Sequence, residues 1–281
     1  VESGLTARIR AKSHKSAARP FIKWAGGKKG LLPELKRRVP PQYGRYFEPF
    51  LGGAALFFAL SPSGAALSDA NPYLVNAYRV VRDHVEELLV SLEAHRTDKE
   101  YYYRMRDVDP EGLSPIDRAS WFIYLNKTCY NGLWRVNKAG RFNVPFGRYK
   151  NPRIADRKNL EAASAALRSA SIDVSDFEDA LSSARRGDFV YLDPPYHPVS
   201  RTANFTSYTG AGFGEPEQER LAAVFKDLSR RGVYVMLSNS DVPLVRSLYR
   251  GYNLDVVQAG RAISCKGEKR GPVNELIITS Y

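Results

Sequence analysis

The chain has 281 residues, with 42 Lys and Arg against 30 Asp and Glu, giving a formal net charge of +12. That length holds one large α/β domain or a domain with a sizeable insert, and a composition of 43% hydrophobic and 26% charged residues excludes disorder and collagen-like repeats. The longest apolar stretch, Phe50 to Leu60, is eleven residues broken by Gly52 and Gly53, so no transmembrane segment is expected; Cys129 and Cys265 offer neither a pairing framework nor metal-ligand spacing, which fits a reducing compartment.

The first nineteen residues are basic and rich in Ser and Ala. They lack the apolar core of a secretory signal and read as a flexible basic arm, a composition that mitochondrial transit peptides share. Secretion is not expected, and the cytoplasm is the expected location. Residues 1–38 carry a net +9 and residues 127–158 a net +8, leaving the remainder at −5. Two basic segments on a mildly acidic body predict a polyanion-binding face, although a charge run alone also describes a solvated loop. The second segment interleaves Tyr130, Trp134, Phe142, Phe146 and Tyr149, aromatics of the kind that stack on bases or wedge between them.

Short apolar runs predict buried parallel strands at residues 46–48, 65–67, 172–174, 189–192 and 233–237, with two more at 254–257 and 276–279. Helical patterns alternate with them, as at residues 217–230, where Leu221, Val224, Phe225 and Leu228 share a face. This is the rhythm of an α/β fold with an open, mostly parallel sheet. Between residues 83 and 156 the rhythm breaks. Ser114-Pro115 opens a helix carrying Ile116, Ala119, Phe122 and Ile123, and Asn131-Gly132 stops it. The segment reads as an insert with its own small core that bears the densest basic stretch.

The sharpest motif is Asp193-Pro194-Pro195-Tyr196, directly after a predicted strand. In open α/β sheets ligands bind beyond the carboxyl ends of strands. The tetrapeptide suits chemistry on an exocyclic amine, whose lone pair is conjugated into its ring. Accepting the two N–H bonds with the Asp193 carboxylate and the Pro194 carbonyl favours pyramidal nitrogen and frees the lone pair. Tyr196 can stack on the base, and the prolines fix the carbonyl. Upstream, Gly52 and Gly53 allow close backbone approach to a ligand after the first strand. Asp69 follows the second strand, where a carboxylate can accept hydrogen bonds from ribose hydroxyls. The fingerprints G-x-G-x-x-G and G-x-x-x-x-G-K-[ST] are absent, which weakens NAD and ATP. Trp24, between Lys23 and a Gly26-Gly27-Lys28 turn, can stand over a sulfonium cation.

The stretches FIKWAGGK (21–28), YFEPFLGGAALFF (46–58), SDANPYLVNAY (68–78), YNGLWRVN (130–137), FNVPFGRYKNP (142–152), DFVYLDPPY (188–196) and VMLSNS (235–240) resemble the Dam family of adenine-N6 DNA methyltransferases. Within that family the similarity is greatest to the DpnM-type enzymes of DpnII restriction-modification systems. The resemblance implies a seven-stranded Rossmann-like methyltransferase fold using S-adenosylmethionine. It assigns Trp24, Lys28, Phe50, Gly52, Asp69, Asp176, Phe177 and Asp193 to that cofactor, with Asp176-Phe177 at its adenine. It assigns Lys23, Tyr130, Asn131, Leu133, Arg135, Asn137, Pro145, Arg148 and Tyr149 to DNA, with Lys23 at an outer guanine. The implied target is GATC in double-stranded DNA, with a cognate restriction endonuclease sharing the site without being a physical partner.

The expected organisation is an arm over residues 1–19, a catalytic domain from residues 20–82 and 157–281, and a mainly helical recognition insert at 83–156. The expected catalytic residues are Asp193, Pro194 and Tyr196, acting on an adenine flipped out of the duplex. The sulfonium itself makes the methyl electrophilic, so the chemistry requires no metal. RNA amine methylation, a regulator that binds DNA without catalysis and a nicotinamide oxidoreductase are the rival readings. Arg135 as a base-edge reader argues for duplex DNA, the intact Asp193, Asp69 and Trp24 against the regulator, and the missing glycine fingerprint against the oxidoreductase.

Overall fold

A computed structural model describes residues 18–197, 213–259 and 273–281. Most of the basic arm and the Ser264–Gly271 tail therefore lie outside the described residues. Seven strands, β1 (Tyr46–Glu48), β2 (Ala66–Asp69), β3 (Ser171–Val174), β4 (Phe189–Leu192), β5 (Tyr234–Ser240), β6 (Asn253–Ala259) and β7 (Val273–Thr279), form one sheet in the order β3-β2-β1-β4-β5-β7-β6. Neighbours are parallel except β7, which runs antiparallel to β5 and β6. This is a seven-stranded, mostly parallel sheet, as the strand pattern and the family resemblance lead one to expect. The chain leaves β1 for β2 and returns as β4 on its other side, so the β1/β4 crevice is the topological switch point where such sheets bind ligands.

Both faces of the sheet are covered. Successive side chains of a strand point to opposite faces, and here Tyr46, Phe189, Tyr191 and Met236 enter one core while Phe47, Val190, Leu192, Val235 and Leu237 enter the other. The second core lies under α8 (Phe177–Ala180), α9 (Glu215–Arg230) and α10 (Pro243–Leu248). The first lies under α1 (Leu32–Arg38), α2 (Ala55–Leu60), α3 (Pro72–Asp83) and α7 (Arg157–Leu167).

The segment between α3 and α7 contains α4 (Val85–Glu93), α5 (Lys99–Asp107) and α6 (Pro115–Thr128), followed by an irregular hairpin. Its apolar residues do not form a separate core, contrary to the sequence reading. Leu88, Leu89, Tyr102, Phe122, Trp134 and Val144 belong to the same cluster as Tyr46 and Leu67 of the sheet. The reason is α6. Every residue from Ala119 to Asn126 is buried, so this part of the helix is enclosed on all sides, and it packs on α3 and α4. Its ends follow the sequence signals: Ser114 Oγ accepts from the Asp117 amide at 3.1 Å, Pro115 takes the first turn, and the chain leaves the helix before Asn131 and Gly132, both at positive φ. Trp134 and Phe142, expected to stack on bases, are instead buried against Phe122 and each other.

Candidate active site

The loop after β4 enters the switch-point crevice. The Asp193 carboxylate lies 2.6 Å from the Lys28 ammonium and accepts from Ser238 Oγ at 3.0 Å. Burial pushes its pKa up, while the charge and hydrogen bond of Lys28 draw it back. Lys28 also donates to the Gly26 carbonyl at 2.5 Å and stands 4.6 Å from the centre of the Tyr196 ring. The Tyr196 hydroxyl donates to Glu275 at 2.8 Å, fixing the ring. Pro194 is buried.

Three side chains to which the sequence reading gave no role hold this loop, two of them within its VMLSNS stretch. Gln218 of α9, fully buried, donates to the Pro195 carbonyl at 3.0 Å and accepts from Asn239 Nδ2 at 2.9 Å. Asn239 Oδ1 in turn accepts from the Ser240 amide at 2.8 Å, and Ser240 Oγ donates to the His197 carbonyl at 2.8 Å. The signals were present. Gln218 stands one turn before Leu221 on the apolar stripe of α9, and Ser238-Asn239-Ser240 is a polar run finishing an apolar strand.

Beyond β1, the Gly52 amide donates to Asp69 Oδ2 at 3.1 Å and the Gly52 carbonyl accepts from the Tyr78 hydroxyl at 3.1 Å. Gly52 has φ of +43°, and a Cβ there would fall 2.7 Å from Trp24 Cδ1, so only glycine lets the indole rest on this turn. Asp69 Oδ1 accepts from the Asn71 amide at 3.0 Å, and burial pushes the carboxyl up to about 6. Asn71, not Asp69, caps α3. Phe50 stacks on Phe177 at 5.4 Å. Asp176 caps α8 and pairs with Arg220 at 2.6 Å, so both of its oxygens have protein partners. Beside Asp193 lies a carboxyl that the sequence reading missed. Glu48, 2% exposed, accepts from the Tyr46 hydroxyl at 2.7 Å, and burial pushes it up to about 8.

The residues assigned to DNA gather around the hairpin. Asn126 of α6 binds the Lys23 backbone on both sides, accepting from its amide at 2.8 Å and donating to its carbonyl at 2.7 Å. The Lys23 ammonium lies 4.2 Å from the centre of the Tyr149 ring. A Cβ on Gly132 would meet the Lys23 side chain at 2.6 Å, so glycine is what allows these segments to touch. Tyr130, 47% exposed, donates its amide to the Pro145 carbonyl at 2.8 Å. Leu133 is half-buried, and Asn131 and Arg148 hold left-handed backbone conformations. Two assigned side chains are engaged locally. Arg135 donates from Nε to Asn143 Oδ1 at 2.7 Å, and Asn137 Oδ1 accepts from the amides of Ala139 and Arg141, each at 3.0 Å. Lys138, Arg141, Arg148, Lys150 and Arg153 are exposed, and none has an acidic partner among the described residues.

A sheet with one antiparallel strand, whose switch-point crevice gathers a carboxylate-proline-proline-tyrosine loop, a glycine turn and a strand-end carboxylate, defines a methyltransferase directed at an amine. The model of the D12 class N6 adenine-specific DNA methyltransferases matches residues 24–263. The type II methyltransferase M1.LlaDCHI of Lactococcus lactis subsp. cremoris is 45% identical over 276 residues, covering 95% of this chain and 97% of its own. The type II methyltransferase M.MjaIII of Methanocaldococcus jannaschii is 41% identical, covering 94% and 99%. The DNA adenine methylase of Escherichia coli is 38% identical, covering 92% and 94%. The chain belongs to the D12 class of N6 adenine-specific DNA methyltransferases, enzymes that methylate adenine in DNA.

Proposed function

We propose that this methyltransferase modifies the adenine of GATC in duplex DNA, after flipping it into the Asp193–Tyr196 pocket, with S-adenosylmethionine as methyl donor. The observation that carries this reading is the position of Asp193-Pro194-Pro195-Tyr196 at the β1/β4 switch point, beside the Gly52 turn. The crevice fits a nucleoside-bearing donor: the Gly52 turn is closed by an indole rather than a Cβ, Asp69 stands at the end of β2, and the stacked rings of Phe50 and Phe177 supply an apolar wall. Trp24, Lys28, Phe50, Gly52, Asp69, Asp176, Phe177 and Asp193 would hold it. When bound, the donor supplies an electrophilic methyl on a sulfonium.

The chain's own residues then act on the amine. Asp193 and the Pro194 carbonyl accept its two N–H bonds, leaving the nitrogen lone pair free to attack. Tyr196 stacks on the base, its ring held by Glu275, while Gln218 and Asn239 keep the loop rigid. A base stacked in a duplex cannot reach this pocket, hence the flip. The unpaired cations of residues 138–153 supply phosphate contacts, Tyr130 and Tyr149 are the aromatics that wedge or stack, and Arg135 reads a guanine edge once it leaves Asn143. In this reading residues 20–82 and 157–281 are catalytic and residues 83–156 carry recognition. A restriction endonuclease cutting unmethylated GATC would share the site without binding this chain.

The test is tritium transfer from labelled S-adenosylmethionine into a GATC duplex and into duplexes changed at one base pair, with base analysis. N6-methyladenine confined to GATC is expected. Label in another sequence would overturn the site assignment, and no label in any duplex would overturn the cofactor and the chemistry together.

A further inference from the structure

Tyr191 of β4 and Ser238 of β5 stand behind the Asp193 carboxylate, and neither has a role in the reaction described above. The strand register brings them together. β4 and β5 run parallel with Tyr191 opposite Met236 and Leu192 opposite Leu237, so one residue further Asp193 comes beside Ser238, on the face to which Tyr191 also points. Ser238, fully buried, donates from Oγ to Asp193 Oδ1 at 3.0 Å. The hydroxyl of Tyr191, itself buried, lies 3.0 Å from the same Oγ. A serine hydroxyl has one proton to donate, and here it goes to the carboxylate, so the phenol is the donor in the second contact. The phenol of Tyr196, also beside Ser238, gives its proton to Glu275. The result is a one-way chain from Tyr191 through Ser238 to Asp193.

Both side chains that bind the carboxylate, Ser238 and Lys28, meet it at Oδ1, and among the described residues Oδ2 has no partner. We propose that Ser238, oriented by Tyr191, is a positioning residue for methyl transfer: by holding Oδ1 it fixes the rotation of the carboxylate and presents Oδ2 to the amine. The proposal rests on the reading above, in which Asp193 accepts an N–H of the target. A carboxylate turns about its Cβ–Cγ bond in a broad well, so the backbone position of Asp193 alone does not aim its lone pairs. A hydrogen bond from a side chain anchored in the neighbouring strand removes that freedom. The serine hydroxyl could itself take any of three staggered positions. The phenol, carried by a ring packed in the core, selects the position facing Asp193 and polarises the serine O–H toward the carboxylate. An acceptor aligned before the base arrives lowers the barrier without adding to substrate binding.

The experiment measures methyl transfer by the full chain to a GATC duplex, with kcat and the KM for DNA determined separately, for Ser238→Ala, Tyr191→Phe and the double variant. Ser238→Ala should lower kcat by about 10- to 100-fold, the size of a lost hydrogen bond to a charged group, with KM within about two-fold of wild type. Tyr191→Phe keeps the ring and its packing, and should lower kcat by about 2- to 10-fold. A phenol that acts only through the serine adds nothing once the serine hydroxyl is gone, so the double variant should match Ser238→Ala within about two-fold. Asp193→Asn probes the oxygen itself. Its carbonyl should be held at the Oδ1 position by the two donors, turning the amide NH₂ toward the target, so turnover should be lost. Near-normal turnover in Asp193→Asn would place the amine on Oδ1 and overturn the proposal. So would fully multiplicative effects in the double variant, or a Ser238→Ala that keeps kcat or changes only KM. Should Ser238→Ala fail to fold, an unchanged kcat in Tyr191→Phe would overturn it alone. Failure of wild-type protein to methylate GATC would instead remove the reading beneath it.

Discussion

The pocket at the switch point and the hairpin over residues 130–149 are built by opposite means. In the pocket the groups that carry the loop and the glycine turn are held by residues distant in sequence: Asp193 by Lys28 and Ser238, Pro195 by Gln218, Gly52 by Asp69 and Trp24. In the hairpin the polar side chains are held within the segment, Arg135 on Asn143 and Asn137 on Ala139 and Arg141, with Tyr130 bonded to Pro145, while Lys23 and Tyr102 reach in from elsewhere. The difference matters because long-range polar networks fail as units, whereas local turns lose one contact at a time. Chemistry needs preorganised geometry, and base reading needs side chains that can change partners.

The largest expected effect is in the pocket. Asp193→Ala should lower turnover by about 10²–10³-fold or more, since an interaction aimed at the reacting atoms is lost. Duplex affinity should stay within a few-fold, because the phosphate contacts lie elsewhere. Comparable falls in turnover and in affinity, measured by methyl transfer and by titration of labelled duplex, would show that pocket and hairpin are not separate devices.

Gln218→Leu tests whether the network acts as a unit. It strands the Pro195 carbonyl and Asn239 Nδ2 in a buried site, which should cost about 1–3 kcal/mol of stability for each group left unpaired. Turnover should fall with duplex affinity unchanged. Normal turnover in a destabilised but folded variant would mean that the loop does not need this brace.

Glu48 gives the pocket a pH signature. Its carboxyl rises from an ordinary 4.5 to about 8 on burial, so the folded chain retains a proton that the unfolded chain releases. Stability from this group is therefore complete below about 4.5 and is lost as pH rises through about 8. Asp69, raised from 3.8 to about 6, acts in the same direction at lower pH, and the difference between wild type and Glu48→Gln isolates the share that belongs to Glu48. Glu48→Gln should flatten the decline of urea-unfolding stability across the window from 4.5 to about 8. An unchanged slope would assign the decline to another group.

The pocket was legible where it depends on strand ends. Asp193, Gly52 and Asp69 each follow an apolar run, and periodicity locates such runs. What it concealed were the holders. Gln218 and Asn239 are polar residues at buried positions, and sequence alone cannot say which distant polar atom satisfies them. Glu48 was hidden by its place inside a strand. The hairpin was legible as charge and turn residues, yet its aromatics divided in a way that composition does not reveal. Trp134 and Phe142 fill the space beside Phe122, while Tyr130 stays exposed. The enclosure of residues 119–126 of α6 was likewise hidden, because its polar residues Asn126 and Ser120 find partners inside, in Lys23, Gly132 and His95.

Within the hairpin, Arg135→Ala should cost about 1–3 kcal/mol on GATC and relax discrimination at one base pair. Part of the binding energy is spent in leaving Asn143, so Asn143→Ala should tighten binding slightly or leave it unchanged if its hold only parks the guanidinium. A loss as large as that of Arg135→Ala would show that the pair reads the base together.

The smallest effect separates charge from reading. Lys150 and Arg153 lie beyond the hairpin, exposed, and neither has an acidic partner among the described residues, whereas Arg157 nearby is pinned to Glu86 at 2.8 Å. A free surface cation contributes to duplex affinity by releasing a counterion from a phosphate, and that contribution does not depend on the base sequence. Replacing either residue by Ala should therefore weaken GATC and non-GATC duplexes alike and reduce the slope of log affinity against log salt by roughly one. Arg157→Ala should leave the slope unchanged, since its charge is already compensated by protein carboxylates. If Lys150→Ala alters the preference for GATC instead of the slope, the reading surface extends past the hairpin and the division drawn between local reading and diffuse charge is misplaced.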